Sequence, residues 1–318
     1  MNLLGIHHVS ALTANAKKNY EFYTNILGMR LVKKTVNQDE PSMYHLFYAD
    51  EYGSPGTDLT FFEIPRAGHT YPGNQSISTT SLRIKQNDSL TYWKKRFEEL
   101  HVTHGTIKEY LGRKTLPFQD HEGQRLMLIS DEGVEGTAAG TPPTNSPIPP
   151  EHAIVGLGPI HLTVAALEPT KEVLTKMMGF NEIYADPQQT LFETSEGGNG
   201  AQVVVEERAD LKRERPGRGS VHHVAFRVKD EDELSTWKKR IEDAGFPNSG
   251  LVDRYYFKSL YFREPNHILF ELATDGPGFA ADEEEEHLGE TLALPPFLEA
   301  DRSQIEAGLV PLHTKKET

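Results

Sequence analysis

The 318-residue chain contains no cysteine, which excludes disulfides, thiolate nucleophiles and zinc–thiolate sites. Any metal or acid–base chemistry must therefore come from His, Asp, Glu and Tyr. Long apolar runs are also missing, and with hydrophobic residues at 37% nothing approaches the length of a bilayer crossing. The opening MNLLGIHHVSAL has no basic stretch leading into an apolar segment and a small-residue cleavage site. It does not read as a signal peptide, and the expected location is cytoplasmic. Basic residues are in the minority, with 33 Lys and Arg against 47 Asp and Glu for a formal net charge of −14. That balance opposes a nucleic-acid role, because phosphate binding rests on clustered positive charge, and it points to small-molecule partners. The acidic run from Asp282 to Glu286 reads as solvated surface.

What is present is a repeat of short strand, amphipathic helix and three further strands broken by turn residues. The first copy runs through GIHHVSALTANAKKNYEFYTNILGM, where Tyr20, Tyr23, Ile26 and Leu27 recur at helical spacing before Gly28, and it closes with DLTFFEIP. The second starts near Thr79 and closes with GQRLMLISD, and the fourth starts near Val221 and closes with HILFELAT. These two align without a gap, Trp93-Lys94-Lys95-Arg96 on Trp237-Lys238-Lys239-Arg240, and the two tryptophans read as packing residues. The third, GPIHLTVAALEPTKEVLTKMMGF, closes with AQVVVEE. The chain divides accordingly into a first pair of modules (1–131), a Gly/Pro/Ser/Thr-rich linker (132–152), a second pair (153–275) and a C-terminal extension (276–318), where PPFLEADRSQIEAGL predicts a short helix.

Strand alternation selects a face for each His-His doublet. Val224, Phe226 and Val228 share a face with His222, whereas Ala225 and Arg227 share one with His223. The apolar face packs on a helix, so His223 faces the opposite side, and the same phase selects His8 in the first copy and His161 in the third. Thr79 fills this slot in the second copy. On the closing strands the carboxylate slot reads as Glu271 in copy four, Glu63 in copy one, Glu206 or Glu207 in copy three and Met127 in copy two. Copy two therefore lacks both ligand types. A lone strand histidine is more often a hydrogen-bonded core or surface residue than a ligand, but two in equivalent slots with a Glu closing the same unit point to a metal.

Four βαβββ modules with a His on the first strand and a Glu on the last resemble the vicinal oxygen chelate superfamily, which includes glyoxalase I, bleomycin-resistance proteins and extradiol dioxygenases. The resemblance covers about Gly5 to Thr274, and IHHVSA, VHHVAF and EPNHILFEL are its most specific pieces. It implies an α+β fold in which paired modules form two cupped mixed β-sheets, with helices outside and a metal in one cup. If neighbouring modules pair, the ligands are His161, His223 and Glu271. If modules one and four pair, they are His8, His223 and Glu271, which uses both doublets and resembles the hydroquinone-cleaving branch, and this arrangement is the one expected.

That branch implies an Fe(II)-dependent, extradiol-type dioxygenase taking a small aromatic diol and O2, with self-association left open. Arg254 and Tyr261 resemble its Arg and Tyr near the metal, and His7 and His222 its flanking histidines, although alternation puts those two on the wrong face unless a bulge re-aims them. Two readings compete. With Glu63 as a fourth ligand the chain would be a glyoxalase I-type isomerase or lyase, unless this strand-terminal Glu turns to solvent. A resistance-type binding protein would need no metal triad.

Overall fold

Residues 2–315 are described by a computed structural model. Sixteen strands fall into two eight-stranded sheets, each built from two modules distant in sequence. The first module supplies β1 (Ile6–Thr13), β2 (Arg30–Val36), β3 (Tyr44–Ala49) and β4 (Asp58–Glu63), and the second β5 (Ser76–Ile84), β6 (Lys108–Tyr110), β7 (Arg113–Gln119) and β8 (Arg125–Ser130). The third gives β9 (Ile154–Val164), β10 (Asn181–Ala185), β11 (Gln189–Glu193) and β12 (Gln202–Glu207). The fourth gives β13 (Val221–Val228), β14 (Val252–Asp253), β15 (Phe257–Arg263) and β16 (Leu269–Pro277).

One sheet runs β14-β15-β16-β13-β1-β4-β3-β2 and joins modules four and one, while the other runs β10-β11-β12-β9-β5-β8-β7-β6 and joins three and two. The junctions are antiparallel, β1 on β13 and β5 on β9. Within each module the first strand lies parallel to the last, so the curl of a twisted sheet draws their inward side chains together.

The outer faces carry the helices. In α2 (Ser89–Glu99) and α4 (Glu231–Asp243) the matching Trp93 and Trp237 are fully buried, as their equivalent positions predict. The odd-numbered modules differ. α1 (Ala16–Tyr20) and α3 (Leu167–Glu172) each pass into a π-helical turn, over Glu21–Ile26 and Val173–Met177, before a glycine with positive φ, Gly28 or Gly179. No helix is long and apolar enough to cross a membrane among the described residues.

The Gly/Pro-rich segment between modules two and three is pinned to the body: the Arg83 guanidinium donates to the carbonyls of Thr137 and Ala138, and Asp50 accepts from Thr141 N–H at 2.9 Å. The C-terminal segment covers the edge strand β2, which would otherwise offer unpaired backbone groups to another chain. Ala293 N–H donates to Lys34 O, Lys34 Nζ donates to Leu312 O at 3.0 Å, and the predicted helix forms as α5 (Arg302–Gly308).

The acidic run is not solely solvated surface, contrary to its sequence reading. Asp282 and Glu283 both pair with Lys33, whose side chain is fully buried, and Asp282 also accepts from the Tyr256 hydroxyl at 2.8 Å. The Lys33 ammonium sits 4.7 Å from the centre of the Tyr256 ring. A buried cation so enclosed leaves two stranded carboxylates when removed. Lys33→Ala is expected to lower unfolding free energy by about 3 kcal/mol, read from urea denaturation midpoints at constant m-value.

Candidate metal centre

The junction of β1 and β13 brings together residues 215 positions apart. His8 Nε2 lies 3.2 Å from His223 Nε2, and the two nitrogens lie 3.1 Å and 2.9 Å from Glu271 Oε2. These three side chains are buried and offer one ligand atom each around a common point. Glu271 arrives from β16, where it stands in register with Ala225.

The flanking histidines reach the same region because the strands are irregular where they occur. Along the β1–β13 ladder Ile6 faces Phe226 and His8 faces Ala225, leaving His7 as an extra residue on β1. Further on, Ser10 faces His223 and Ala11 faces Val221, leaving His222 as the extra residue on β13. A bulge re-aims a side chain that simple alternation would send to the other face. His7 Nδ1 accordingly lies 2.9 Å from His8 Nδ1, and His222 Nδ1 lies 2.7 Å from His223 Nδ1.

These contacts determine where the protons sit. Thr274 O can only accept, so His7 Nε2–H donates to it at 3.1 Å. Burial, reinforced by His8, lowers the His7 pKa to about 3, so its ring is neutral and Nδ1 carries a lone pair. With its Nδ1 engaged by His7, His8 turns Nε2 toward Glu271 and His223. His223, itself lowered below 6.5 chiefly by burial, is likewise held at Nδ1 by His222. Two imidazole nitrogens and a carboxylate oxygen thus converge on one buried point. Such an arrangement is a fitting donor set for a divalent cation. His222 differs from His7 in being exposed at the cavity wall, where burial and His223 lower its pKa.

Above the triad opens a cavity of about 390 Å³. Module four supplies Tyr261 and Arg254 to its wall, and Arg254 Nε donates to the Tyr261 hydroxyl oxygen at 3.3 Å while its other end pairs with Asp39 at 3.0 Å. Burial, then nearby Glu271, pushes the Tyr261 pKa up, so the hydroxyl stays protonated. Module one supplies His45, Phe47 and Phe62, and Tyr256 and Phe257 close the cavity further. None of these five stood out in the sequence. His45 and Phe47 were accessible to the alternation that selects His223, since Tyr44, Leu46 and Tyr48 occupy the core face of β3.

One slot assignment changes and one open alternative is resolved. Ser10, two residues after His8, is in register with Thr60, just as Ala225, two after His223, is with Glu271. Thr60, not Glu63, is therefore the first module's counterpart of Glu271. Glu63 is neither near the triad's convergence point nor turned to solvent. It is buried, and its Oε1 accepts Ala16 N–H at the start of α1 at 2.8 Å. Glu207 does the same for Leu167 N–H in module three, so register gives the slot there to Glu206. His161 lies in the second sheet beside Tyr110, away from the triad.

Two half-barrel cups, one centred on a His-His-Glu set, define the architecture of a vicinal oxygen chelate enzyme. The sequence profile of the glyoxalase/bleomycin resistance protein/dioxygenase superfamily matches residues 5–128 and 156–272, and the chain belongs to that superfamily. It is 57% identical over 98% of its length to all of the "Putative ring-cleaving dioxygenase MhqA" of Bacillus subtilis. It is 31% identical, over 95% of its length and 94% of the relative's, to the chlorohydroquinone/hydroquinone 1,2-dioxygenase of Sphingobium indicum. A crystal structure from Bacillus subtilis matches at a TM-score of 0.92 over 99% of both chains, with 35% identity. Glyoxalase I of Zea mays, at 14% identity and TM-score 0.60 over 90% of this chain and 95% of that one, shares the fold. Among these relatives the chain stands with the dioxygenases, and it is an enzyme of that kind.

Replacing His7 tests the tautomer chain. His7→Phe is expected to weaken divalent-metal affinity by about 10–100-fold in a chelator competition. The metal-free protein supplies the sign of the pH effect. The folded His7 pKa of about 3 lies below its unfolded value, so the unfolded chain takes up the proton first and wild-type stability falls as pH drops below about 6.5. Between pH 6.5 and 5 the wild type should lose about 2 kcal/mol more than His7→Phe, from ~1.5 pH units at ~1.4 kcal/mol each.

Proposed function

We propose that the protein is an Fe(II)-dependent, extradiol-type dioxygenase that opens the ring of hydroquinones or related dihydroxy aromatics, with His8, His223 and Glu271 holding the metal. The observation that carries this reading is the convergence of two imidazole nitrogens and one buried carboxylate beneath a largely apolar cavity. Two imidazoles and a carboxylate on one face of an ion, with positions left open, are the usual setting of non-haem Fe(II) in oxygenases. When bound, iron(II) supplies the electron sharing that lets dioxygen react with an aromatic ring.

The chain's own groups do the rest. Phe47, Phe62 and Phe257 hold the ring and exclude water. Tyr261 keeps its proton and, because its oxygen already accepts from Arg254, points its O–H as a donor toward negative charge building on the substrate. Arg254 adds fixed positive charge to that wall. His7 has both ring nitrogens engaged by the protein and serves to orient His8. His222 reaches the cavity and, held at Nδ1 by His223, offers Nε2 to hydrogen-bond a substrate oxygen. The position of Glu63 on the helix terminus weighs against a four-ligand isomerase.

Protein reconstituted anaerobically with Fe(II) should consume oxygen on addition of hydroquinone. His8→Ala and Glu271→Ala should show no uptake above background. His161→Ala should stay within about twofold of wild type, since a change remote from the reacting groups removes no transition-state contact. Oxygen uptake lost in His161→Ala and retained in His8→Ala would refute the assignment, as would zinc- or nickel-dependent isomerase activity without uptake.

A further inference from the structure

The two halves of the cavity are built on the same strand plan, and their differences are informative. Thr60 replaces Glu271 at equivalent register, and Phe47, paired with Thr60, replaces Tyr261, paired with Glu271. The module-one half has thereby lost the carboxylate and the phenol that module four contributes. One polar side chain of β3 remains at the cavity, His45, two residues before Phe47 on the same face.

His45 is held as a positioned group. Its ring lies against Phe62, with centroids 4.1 Å apart and planes inclined by 28°, and against Phe47 at 4.0 Å. His45 Nε2 is 3.0 Å from Thr60 Oγ1, which is 2.8 Å from Ser10 Oγ, and both residues are fully buried. This chain fixes the ring plane and occupies one nitrogen. No described protein group hydrogen-bonds Nδ1, and the residue is partly exposed, to the cavity it lines. Burial, with His8, His223 and Arg254 nearby, holds the pKa well below 6.5, so the ring is neutral. A neutral imidazole with Nε2 engaged presents one directional polar atom to the cavity, beside the rings of Phe47 and Phe62.

We infer that His45 is a specificity-determining residue that hydrogen-bonds, through Nδ1, the second hydroxyl of a dihydroxybenzene whose first hydroxyl lies over the His8–His223–Glu271 site. The inference rests on the hydroquinone reading above and deepens it. One hydroxyl is taken at the triad, and the other needs a partner on the module-one wall, where Thr35, Asn37 and Gln38 are further polar groups but His45 is the one set against two phenylalanine rings and tied to a buried hydroxyl pair. A site built to pair a substrate hydroxyl discriminates against an analogue lacking it, because its own buried polar group is then left unmatched.

The test compares hydroquinone with 4-methylphenol, which keeps one hydroxyl and replaces the other with a methyl group of similar size. Both are titrated calorimetrically, without oxygen, into full-length Fe(II)-loaded wild type, His45→Phe and His45→Gln. Wild type should bind hydroquinone about tenfold more tightly than 4-methylphenol. His45→Phe should erase that preference by weakening hydroquinone alone, and His45→Gln, which retains a polar end, should restore part of it. The preference is a ratio within one protein, so a reduced folded fraction leaves it unchanged. Equal weakening of both ligands, or a preference that survives His45→Phe, overturns the inference, as does failure of wild type to bind hydroquinone. Oxygen uptake is followed in parallel. A His45-dependent preference without uptake would reject the dioxygenation reading and keep the inference, whereas uptake with a His45-independent preference would do the reverse.

Discussion

A carboxylate buried to 0% exposure between two imidazoles is the constraint on which the molecule turns. Glu271 Oε2 lies 3.1 Å from His8 Nε2 and 2.9 Å from His223 Nε2. Removing a charge from water without compensation costs several kcal/mol, which a cation held among these side chains would offset. Their geometry is set by the parallel register of β13 on β16, the antiparallel meeting of β1 and β13, and the contacts that run from His8 through His7 to the Thr274 carbonyl. The cavity above has Arg254 and Tyr261 on its module-four wall, with Phe47, Phe62 and His45 on the module-one wall.

Much of this was legible in the sequence because a repeat carries its own controls. Two His-His doublets in phase, and a second module with Thr79 and Met127 in the ligand slots, were enough to favour pairing module one with four over pairing neighbours, and the sheets follow that order. Side-chain phase on β13 was readable because Val224, Phe226 and Val228 form an unbroken apolar stripe, all fully buried in the fold.

What escaped the sequence shares a physical cause, the dependence of a side chain's role on register that a single strand does not encode. Glu63 and Glu271 look equivalent as strand-terminal acids, yet one caps a helix and the other faces the cup, three ladder positions apart in their modules. His7 and His222 pointed the wrong way by alternation because a bulge exists only in the pairing of two strands. Lys33 gave no hint of burial, since its partners Asp282 and Glu283 arrive from a tail about 250 residues later that matches no repeat. His45 is the exception, a residue that the alternation rule could have found.

The two bulges are related in one further respect. The extra residue is on β1 at His7 and on β13 at His222, and from the pair Ile6–Phe226 to the pair Ala11–Val221 each strand advances five residues. Their offsets cancel. A deletion at only one doublet would leave the ladder out of step by one residue and turn every later side chain to the opposite face of the sheet. Substitution can alter either histidine pair separately, but changes in chain length at this seam must occur in compensating pairs, which ties the spacing of two segments more than two hundred residues apart to a single alignment.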